Sequence, residues 1–237
     1  MPIKRPKLSN GGVYHIVMRG VEGKIIFPQK EDHFSFLHDL YEFNDEEAVS
    51  WEFRAKRAEN NATRTVLEVS KEKRQRKLLV EILAFCLMPN HFHLLLRQLR
   101  DEGISKFMRK MGGYATYINK KYNRQGHLYQ GRFKAVEVLN ESQLRNTLVY
   151  IHTNPVSLIE ENWKGAGSDN PKKALKFLKE YKWSSHLDYI GIKNYPSLLK
   201  KDFLCDSFGS RENFSESVEE WVVHKKDFSE LNFTALE

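Results

Sequence analysis

A predicted β-hairpin constrains the fold of this chain more than any other feature. Residues 78–88 form a continuous apolar run typical of a central strand, and the Pro-Asn dipeptide after it indicates a turn. Residues 91–97 follow as a second strand, and so short a connection predicts that the two strands pair antiparallel. Because side chains alternate across a strand, His91 and His93 should share one face with Leu95.

Further strands and helices are predicted on both sides of this hairpin. Residues rich in β-branched and aromatic types predict strands at 13–21 and 133–139. Apolar residues at helical spacing predict helices at 31–43, 104–122, 143–153, 172–181 and 214–224. Strands separated by helices, with an antiparallel hairpin at the centre, predict an α+β fold rather than a doubly wound parallel sheet. The sequence contains no glycine-rich phosphate loop, which argues against a nucleotide-driven enzyme.

The length of 237 residues fits one core domain with an extension. We predict a core at 1–160, interrupted by a highly charged insertion at about 45–77, and a helical extension at 161–237 that packs on the core. No stretch approaches the roughly 20 apolar residues that a membrane span needs, so a soluble intracellular protein is expected. The two cysteines, Cys86 and Cys205, do not suggest a disulfide scaffold.

Positive charge is concentrated in one part of the chain. The net charge is +7, and residues 100–134 contain nine lysines and arginines against two acids, which equals the whole excess. Such asymmetry points to a polyanionic partner, and nucleic acid is the first candidate. The alternative is an ordinary solvated helix face, and charge alone does not separate the two.

The histidine pair, His91 and His93, can hold one divalent metal ion from a rigid strand. The alternative is two partly buried histidines with ordinary hydrogen bonds, because a motif this short matches often by chance. A third alternative is structural zinc with a cysteine, but Cys86 has no second cysteine near it.

Two imidazoles do not complete an octahedral site, so a third protein ligand is expected. Tyr150 and Asn154 stand four residues apart, on one face, near the end of the helix predicted at 143–153. The Asn154 amide oxygen suits Mg²⁺ or Mn²⁺, and the Tyr150 phenol can attack a phosphodiester held by the metal. His152, beside them, is either a further polar group or a helix-end cation. Four other tyrosines compete for the role of nucleophile: Tyr114, Tyr117, Tyr122 and Tyr129.

Several ordered segments resemble one family. The run MPNHFHLLL at 88–96 is similar to the histidine–hydrophobic–histidine signature of the IS200-like single-tyrosine (HUH) transposases, and more specifically of their REP-associated branch. The segments that agree with it are YHIVMRG at 14–20, GHLYQGRFK at 126–134, YIHTNPV at 150–156, and YKWSS at 181–185 followed by Phe208 and Gly209. The resemblance spans about residues 13–224 in the family's order, apart from the charged insertion.

The resemblance implies a function and its residues. The nucleophile falls on Tyr150, and the metal ligands fall on His91, His93 and Asn154. The implied fold is a ferredoxin-like antiparallel sheet flanked by helices. The implied protein is cytoplasmic, bacterial and nucleoid-associated, acts as a monomer or homodimer, and contacts DNA with its C-terminal extension as well. The implied substrate is single-stranded DNA with a hairpin formed by a palindromic repeat, cut beside the stem through a 5′-phosphotyrosine. The alternative is a non-catalytic DNA- or RNA-binding regulator on the same scaffold.

Candidate DNA contacts lie near the basic segment. Tyr129 offers a plane on which an unpaired base can stack. Five side chains are candidates for phosphate contacts: Arg19, Arg124, His127, Arg132 and Lys134.

Overall fold

A computed structural model describes residues 6–47, 76–161, 163, 167–200, 203 and 207–224. Its strands are β1 (Val13–Arg19), β2 (Val80–Met88), β3 (His91–Gln98) and β4 (Lys134–Val138). Its helices are α1 (Lys30–Glu42), α2 (Gly103–Met111), α3 (Gly113–Lys121), α4 (Glu141–Thr153), α5 (Pro171–Glu180), α6 (His186–Tyr189) and α7 (Arg211–Val223). Two short 3₁₀ helices lie at Val21–Gly23 and Asn154–Leu158.

The four strands form one antiparallel sheet in the order β2-β3-β1-β4. The connection from β1 through α1 to β2 passes over β3, and the connection from β3 to β4 passes over β1. This is the ferredoxin-like arrangement, so the predicted α+β fold is confirmed. Most of the charged insertion predicted at 45–77 lies outside the described residues.

One predicted helix is in fact two. The periodicity predicted a single helix over 104–122, whereas α2 ends at Met111 and α3 begins at Gly113. The backbone N–H of Gly112 bonds to the carbonyls of Met108 at 3.1 Å and Arg109 at 3.2 Å, which tightens the turn. Two consecutive glycines have low helix propensity, so the chain interrupts the helix at this point.

The sheet has two buried faces. On the α1 face, Ile16, Phe92 and Leu94 pack with residues of α1, α2 and α3. On the α4 face, Val17 and Leu95 pack with residues of α4 and of the C-terminal helices. Because residues of β3 alternate between the two clusters, the predicted alternation of this strand is confirmed.

The outer edge of β2 is covered by the C-terminal part of the chain. The Leu87 N–H donates to the Trp183 carbonyl at 2.8 Å, and the Ser185 N–H donates to the Phe85 carbonyl at 3.0 Å. A chain segment that pairs in this way satisfies the edge and protects it from pairing with another molecule. Within the described residues, no helix is long and apolar enough to cross a membrane.

Two phenylalanines of α1 test the α1 face as a matched pair. Phe36 is fully buried, and its ring lies 4.7 Å from that of Phe92, whereas Phe34 is 55% exposed. Phe36→Ala should lower the free energy of unfolding by about 3–5 kcal/mol, since it removes a buried ring and leaves a cavity. Phe34→Ala should change it by less than about 0.5 kcal/mol. Urea denaturation measures both, and equal losses would contradict this packing.

Candidate active site

The register of β1 and β3 assembles one polar patch on the α4 face. Arg19 lies directly opposite His91, and Val17 lies directly opposite His93. Residues directly opposite each other share a face, with their Cβ atoms about 5 Å apart. Since alternate residues of a strand share a face, His15 joins Arg19 and the histidine pair on this side. The strand pairing therefore brings three imidazoles and one guanidinium to the same face of the sheet.

Both imidazoles of the histidine pair are held through the same ring nitrogen. The Nδ1 atom of His91 lies 2.7 Å from the Asn90 side-chain oxygen, and the Nδ1 atom of His93 lies 2.9 Å from Nε2 of His15. The two rings are 4.9 Å apart between centroids and nearly perpendicular. His93 is fully buried, whereas His91 is partly exposed. Hydrogen bonds at Nδ1 orient both rings with Nε2 on the opposite side.

Tyr150 packs edge-on against this surface. Its ring centroid lies 5.7 Å from that of His93 and 5.9 Å from that of His15, and its residue surface is only 6% exposed. Helix α4 holds it there by packing on β2 and β3. Asn140 caps the N-terminus of this helix, and its side chain accepts a hydrogen bond from the Gln143 N–H at 2.9 Å. The structure thus brings Tyr150 and His93 together, as their proposed roles require.

Asn154 lies at the end of the same helix. Its Nδ2 donates to the Tyr150 carbonyl at 3.3 Å, and the residue is 1% exposed. This bond directs the amide nitrogen back to α4 and turns the amide oxygen to the other side. The predicted spacing of one helical turn between Asn154 and Tyr150 is therefore present, and the role of Asn154 as a ligand stays a prediction.

The four rival tyrosines lie on the other side of the sheet. Tyr114 is fully buried on the α1 face, where its hydroxyl donates to the Ile26 carbonyl at 3.0 Å. The Tyr122 hydroxyl donates to Asp32 at 2.6 Å, and burial raises its pKa. Tyr117 and Tyr129 also pack in the cluster of the α1 face. Tyr150 is therefore separated from all four by the sheet itself.

His152 is a buried polar group rather than a helix-end cation. It is fully buried, with its Nε2 atom 2.7 Å from the Ser185 hydroxyl. Burial and the nearby His186 hold the pKa of His152 well below its ordinary value, so the ring is neutral near pH 7. The cationic interpretation was wrong, since α4 ends inside the core rather than in solvent.

The predicted DNA contacts are divided between the surface and the core. Arg19 lies opposite His91, and Lys134 lies opposite Val17, which places both residues on the α4 face. His127 and Arg132 are exposed, and Arg124 is partly exposed, in the segment before β4. This segment joins the end of β1 through the Gln130 N–H, which donates to the Arg19 carbonyl at 2.9 Å.

Tyr129 is the member of this set that the structure places in the core. It is 8% exposed, and its ring lies 6.2 Å from that of Phe92. Stacking on a base would require the side chain to leave this packing. Local sequence pattern could not indicate this burial, because the bridge between Tyr129 and Gly20 joins segments distant along the chain.

The cations of α2 and α3 belong to helices on the side of the sheet away from Tyr150. No Asp or Glu occurs between Gly103 and Val136, a stretch that contains α2 and α3 on the α1 face. Lys121 of this stretch forms an ion pair with Asp32 at 2.6 Å, and Lys110 donates to backbone carbonyls of Asp45 and Glu47. Other cations of α2 and α3 are exposed or partly exposed, and we call three of them the basic helical surface: Lys106, Arg109 and Lys120.

The donor set of the histidine pair fits a divalent ion with open coordination positions. Ligating histidines commonly hold a polar partner with their second ring nitrogen, which is the arrangement of His91 and His93. Across the described ranges, no group of three or more His, Cys, Asp or Glu side chains is arranged to hold a metal. The Asn154 amide oxygen is of a type that suits a further ligand for such an ion.

A comparison with known protein families gives a match over the part of the chain that contains this site. The family model described as "Transposase IS200 like" matches residues 48–154, a range that contains β2, β3 and α4 and ends at Asn154. The predicted resemblance to the IS200-like transposases is confirmed. The IS200-like segment includes the histidine pair, Tyr150 and Asn154, although its residues 48–75 lie outside the described structure.

Two further comparisons add little to the IS200-like match. No curated protein matches the chain. A solved structure described as "Structure of the REP associates tyrosine transposase bound to a REP hairpin" is 16% identical, with a TM-score of 0.48, and the alignment covers 85% of this chain and 93% of that one. A likeness at this level is not used to assign the fold or a function. The fold is assigned from the sheet topology.

Proposed function

We propose that the protein is a metal-dependent single-stranded DNA endonuclease and strand transferase that uses Tyr150 as its nucleophile. The observation that carries the proposal is the packing of the Tyr150 ring against His93, whose neighbour on the same strand face is His91. The match to the IS200-like family supports DNA as the substrate. A hairpin formed by a palindromic repeat, cut beside its stem, is the substrate that the resemblance to the REP-associated branch favours.

The reaction exchanges one phosphate ester for another. The Tyr150 oxygen attacks the phosphorus of the DNA and forms a tyrosyl–phosphorus ester as the bond to the 3′ oxygen breaks. The phenol loses its proton, and the departing oxygen gains one, so a free 3′ hydroxyl and a 5′-phosphotyrosine result. Because one ester replaces another, the reverse reaction can rejoin strands without an external energy source.

The residues around Tyr150 have distinct parts in this reaction. His91, His93 and Asn154 would hold Mg²⁺ or Mn²⁺, and such an ion, when bound, withdraws charge from the phosphate oxygens. Arg19 would bind the same phosphate, a role that its position directly across from His91 supports. Lys134 lies on the same face, opposite Val17 on the edge strand β4, and would bind a further phosphate of the DNA strand. The roles of all these residues are part of the proposal.

A non-catalytic nucleic-acid-binding regulator is the second candidate. The observation that favours it is the basic helical surface, which belongs to helices on the side of the sheet away from Tyr150. DNA or RNA could bind there without reaching the phenol. In this case the C-terminal extension, which pairs with β2, would stabilise the fold and contact nucleic acid, and it would have no part in a reaction.

One experiment separates the two candidates. A labelled hairpin oligonucleotide with a single-stranded flank is incubated with the protein and Mn²⁺, and the mixture is resolved on native and denaturing gels. The enzyme should give a labelled band that survives denaturation, because the DNA is then covalently attached. Retention on the native gel with no covalent band would support the regulator instead.

The salt dependence of DNA binding tests the basic helical surface. Each lost phosphate contact reduces the slope of log K against log salt concentration by about 0.7–0.9. Replacing Lys106, Arg109 and Lys120 by glutamine should therefore flatten the slope by up to about 2–3 in total. The control variant replaces three exposed lysines that lie outside α2 and α3 with glutamine: Lys7, Lys30 and Lys77. If both variants flatten the slope equally, the basic helical surface has no special role.

A further inference from the structure

His15 is a buried imidazole that the proposed reaction does not use. It lies in the middle of β1 with no exposed surface, on the α4 face beside Val17. A polar side chain in such a place is costly unless it is hydrogen-bonded. Its Nε2 atom lies 2.9 Å from Nδ1 of His93, and the two rings are nearly parallel with centroids 5.1 Å apart. His15 therefore contacts one member of the histidine pair directly.

This contact restricts which nitrogen of His93 can bind a cation. A neutral imidazole carries its proton on one ring nitrogen and a lone pair on the other. If Nδ1 of His93 carries the proton and donates it to His15, the lone pair of His93 lies on Nε2. His91 is arranged in the same way, with its Nδ1 atom 2.7 Å from the Asn90 side-chain oxygen. Both rings then present Nε2 as the ligand atom.

His15 also contacts the nucleophile. Its ring lies edge-on to that of Tyr150, with centroids 5.9 Å apart, while Tyr150 is edge-on to His93 at 5.7 Å. The three rings therefore form one packed group, and a change at His15 reaches both the ligand and the phenol. An apolar residue of similar size would fill the same volume but would not accept a hydrogen bond from His93.

We infer that His15 is a positioning residue, which accepts the Nδ1 proton of His93 and so orients its Nε2 atom toward a divalent cation. The inference rests on the proposed metal-dependent function. Strand β1 then contributes two residues to the site: His15, which orients His93, and Arg19, which has the separate role of binding phosphate. Removing a hydrogen-bond partner of a ligating histidine commonly weakens metal binding by about 10–100-fold.

Two substitutions separate the hydrogen bond from the packing. His15→Leu keeps an apolar volume but removes the acceptor, whereas His15→Gln retains an oxygen that can accept from His93. The control is His33→Leu, which replaces another buried histidine, on the α1 side of the sheet, whose Nδ1 atom bonds to the Gln29 carbonyl at 3.0 Å. Thermal unfolding of each variant shows whether the fold is retained.

The dissociation constant for Mn²⁺ is measured by calorimetry on the full chain without DNA. His15→Leu should weaken binding by about 10–100-fold, His15→Gln should recover most of the loss, and His33→Leu should leave the affinity unchanged. Nitrogen NMR of the imidazoles gives a second readout, in which the proton of His93 lies on Nδ1 in the wild type and is redistributed in His15→Leu.

The outcomes separate this inference from the proposed function. If Mn²⁺ binds His15→Leu as tightly as wild type, or if the Leu and Gln variants lose affinity equally, the inference is overturned. In either case a covalent DNA adduct formed by the wild type with Mn²⁺ would leave the proposed function standing. A wild-type chain that binds no Mn²⁺ and forms no adduct would overturn both.

Discussion

Tyr150→Phe should abolish the covalent DNA adduct, with a loss in the rate of adduct formation of about 10⁴-fold or more, as expected when a nucleophile is removed. Phenylalanine keeps the ring that packs against His15 and His93 and removes only the hydroxyl oxygen. The variant should therefore fold and bind hairpin DNA as the wild type does. The rate is measured with labelled oligonucleotide on denaturing gels, and binding is measured separately on native gels.

Tyr122→Phe is the matched control for this prediction. Tyr122 is a partly exposed tyrosine whose hydroxyl is bound to Asp32 on the α1 side of the sheet. This variant should form the adduct at close to the wild-type rate. An adduct that persists in Tyr150→Phe but disappears in Tyr122→Phe would show that the nucleophile lies on the other side of the sheet.

His91→Ala should remove Mn²⁺ binding and lower the rate of adduct formation by about 10²–10³-fold, because charge stabilisation by a metal is worth several kcal/mol. His91 is the better member of the histidine pair for this test. It is partly exposed, whereas removing the buried His93 would also leave a cavity and would remove the hydrogen bond that His93 makes with His15.

A control variant and a chelator complete the metal test. His224→Ala, which alters an exposed histidine after α7, should leave both Mn²⁺ binding and the reaction unchanged. Chelation of divalent ions should stop adduct formation by the wild type, and added Mn²⁺ should restore it. Full activity of His91→Ala in the presence of chelator would contradict a metal role for the histidine pair.

The sequence predicted the elements of this fold because each has a local signal. The apolar run of β2, the Pro-Asn turn and the alternation of β3 gave the central hairpin, and this placed His91 and His93 on one face. The four-residue spacing of Tyr150 and Asn154 was likewise a local property of α4. The split of the predicted helix at Gly112 was missed, since the apolar stripe continues through the two glycines.

Contacts between distant segments could not be predicted in this way. Nothing near His15 in the sequence indicates that it meets His93, because their contact follows from the register of β1 against β3. The same holds for the burial of Tyr129 against Phe92 and for His152, whose partner Ser185 lies 33 residues further along the chain. Local pattern identified which side chains can do chemistry, and strand pairing decides which of them meet.

The most direct test of the account is to identify the residue that carries DNA after the reaction. The adduct formed by the wild-type chain with Mn²⁺ is digested with protease and nuclease, and the nucleotide-bearing peptide is sequenced by mass spectrometry. A phosphodiester-linked nucleotide is expected on the peptide that contains Tyr150. A nucleotide on any other tyrosine, or cleaved DNA without a modified peptide, would contradict it.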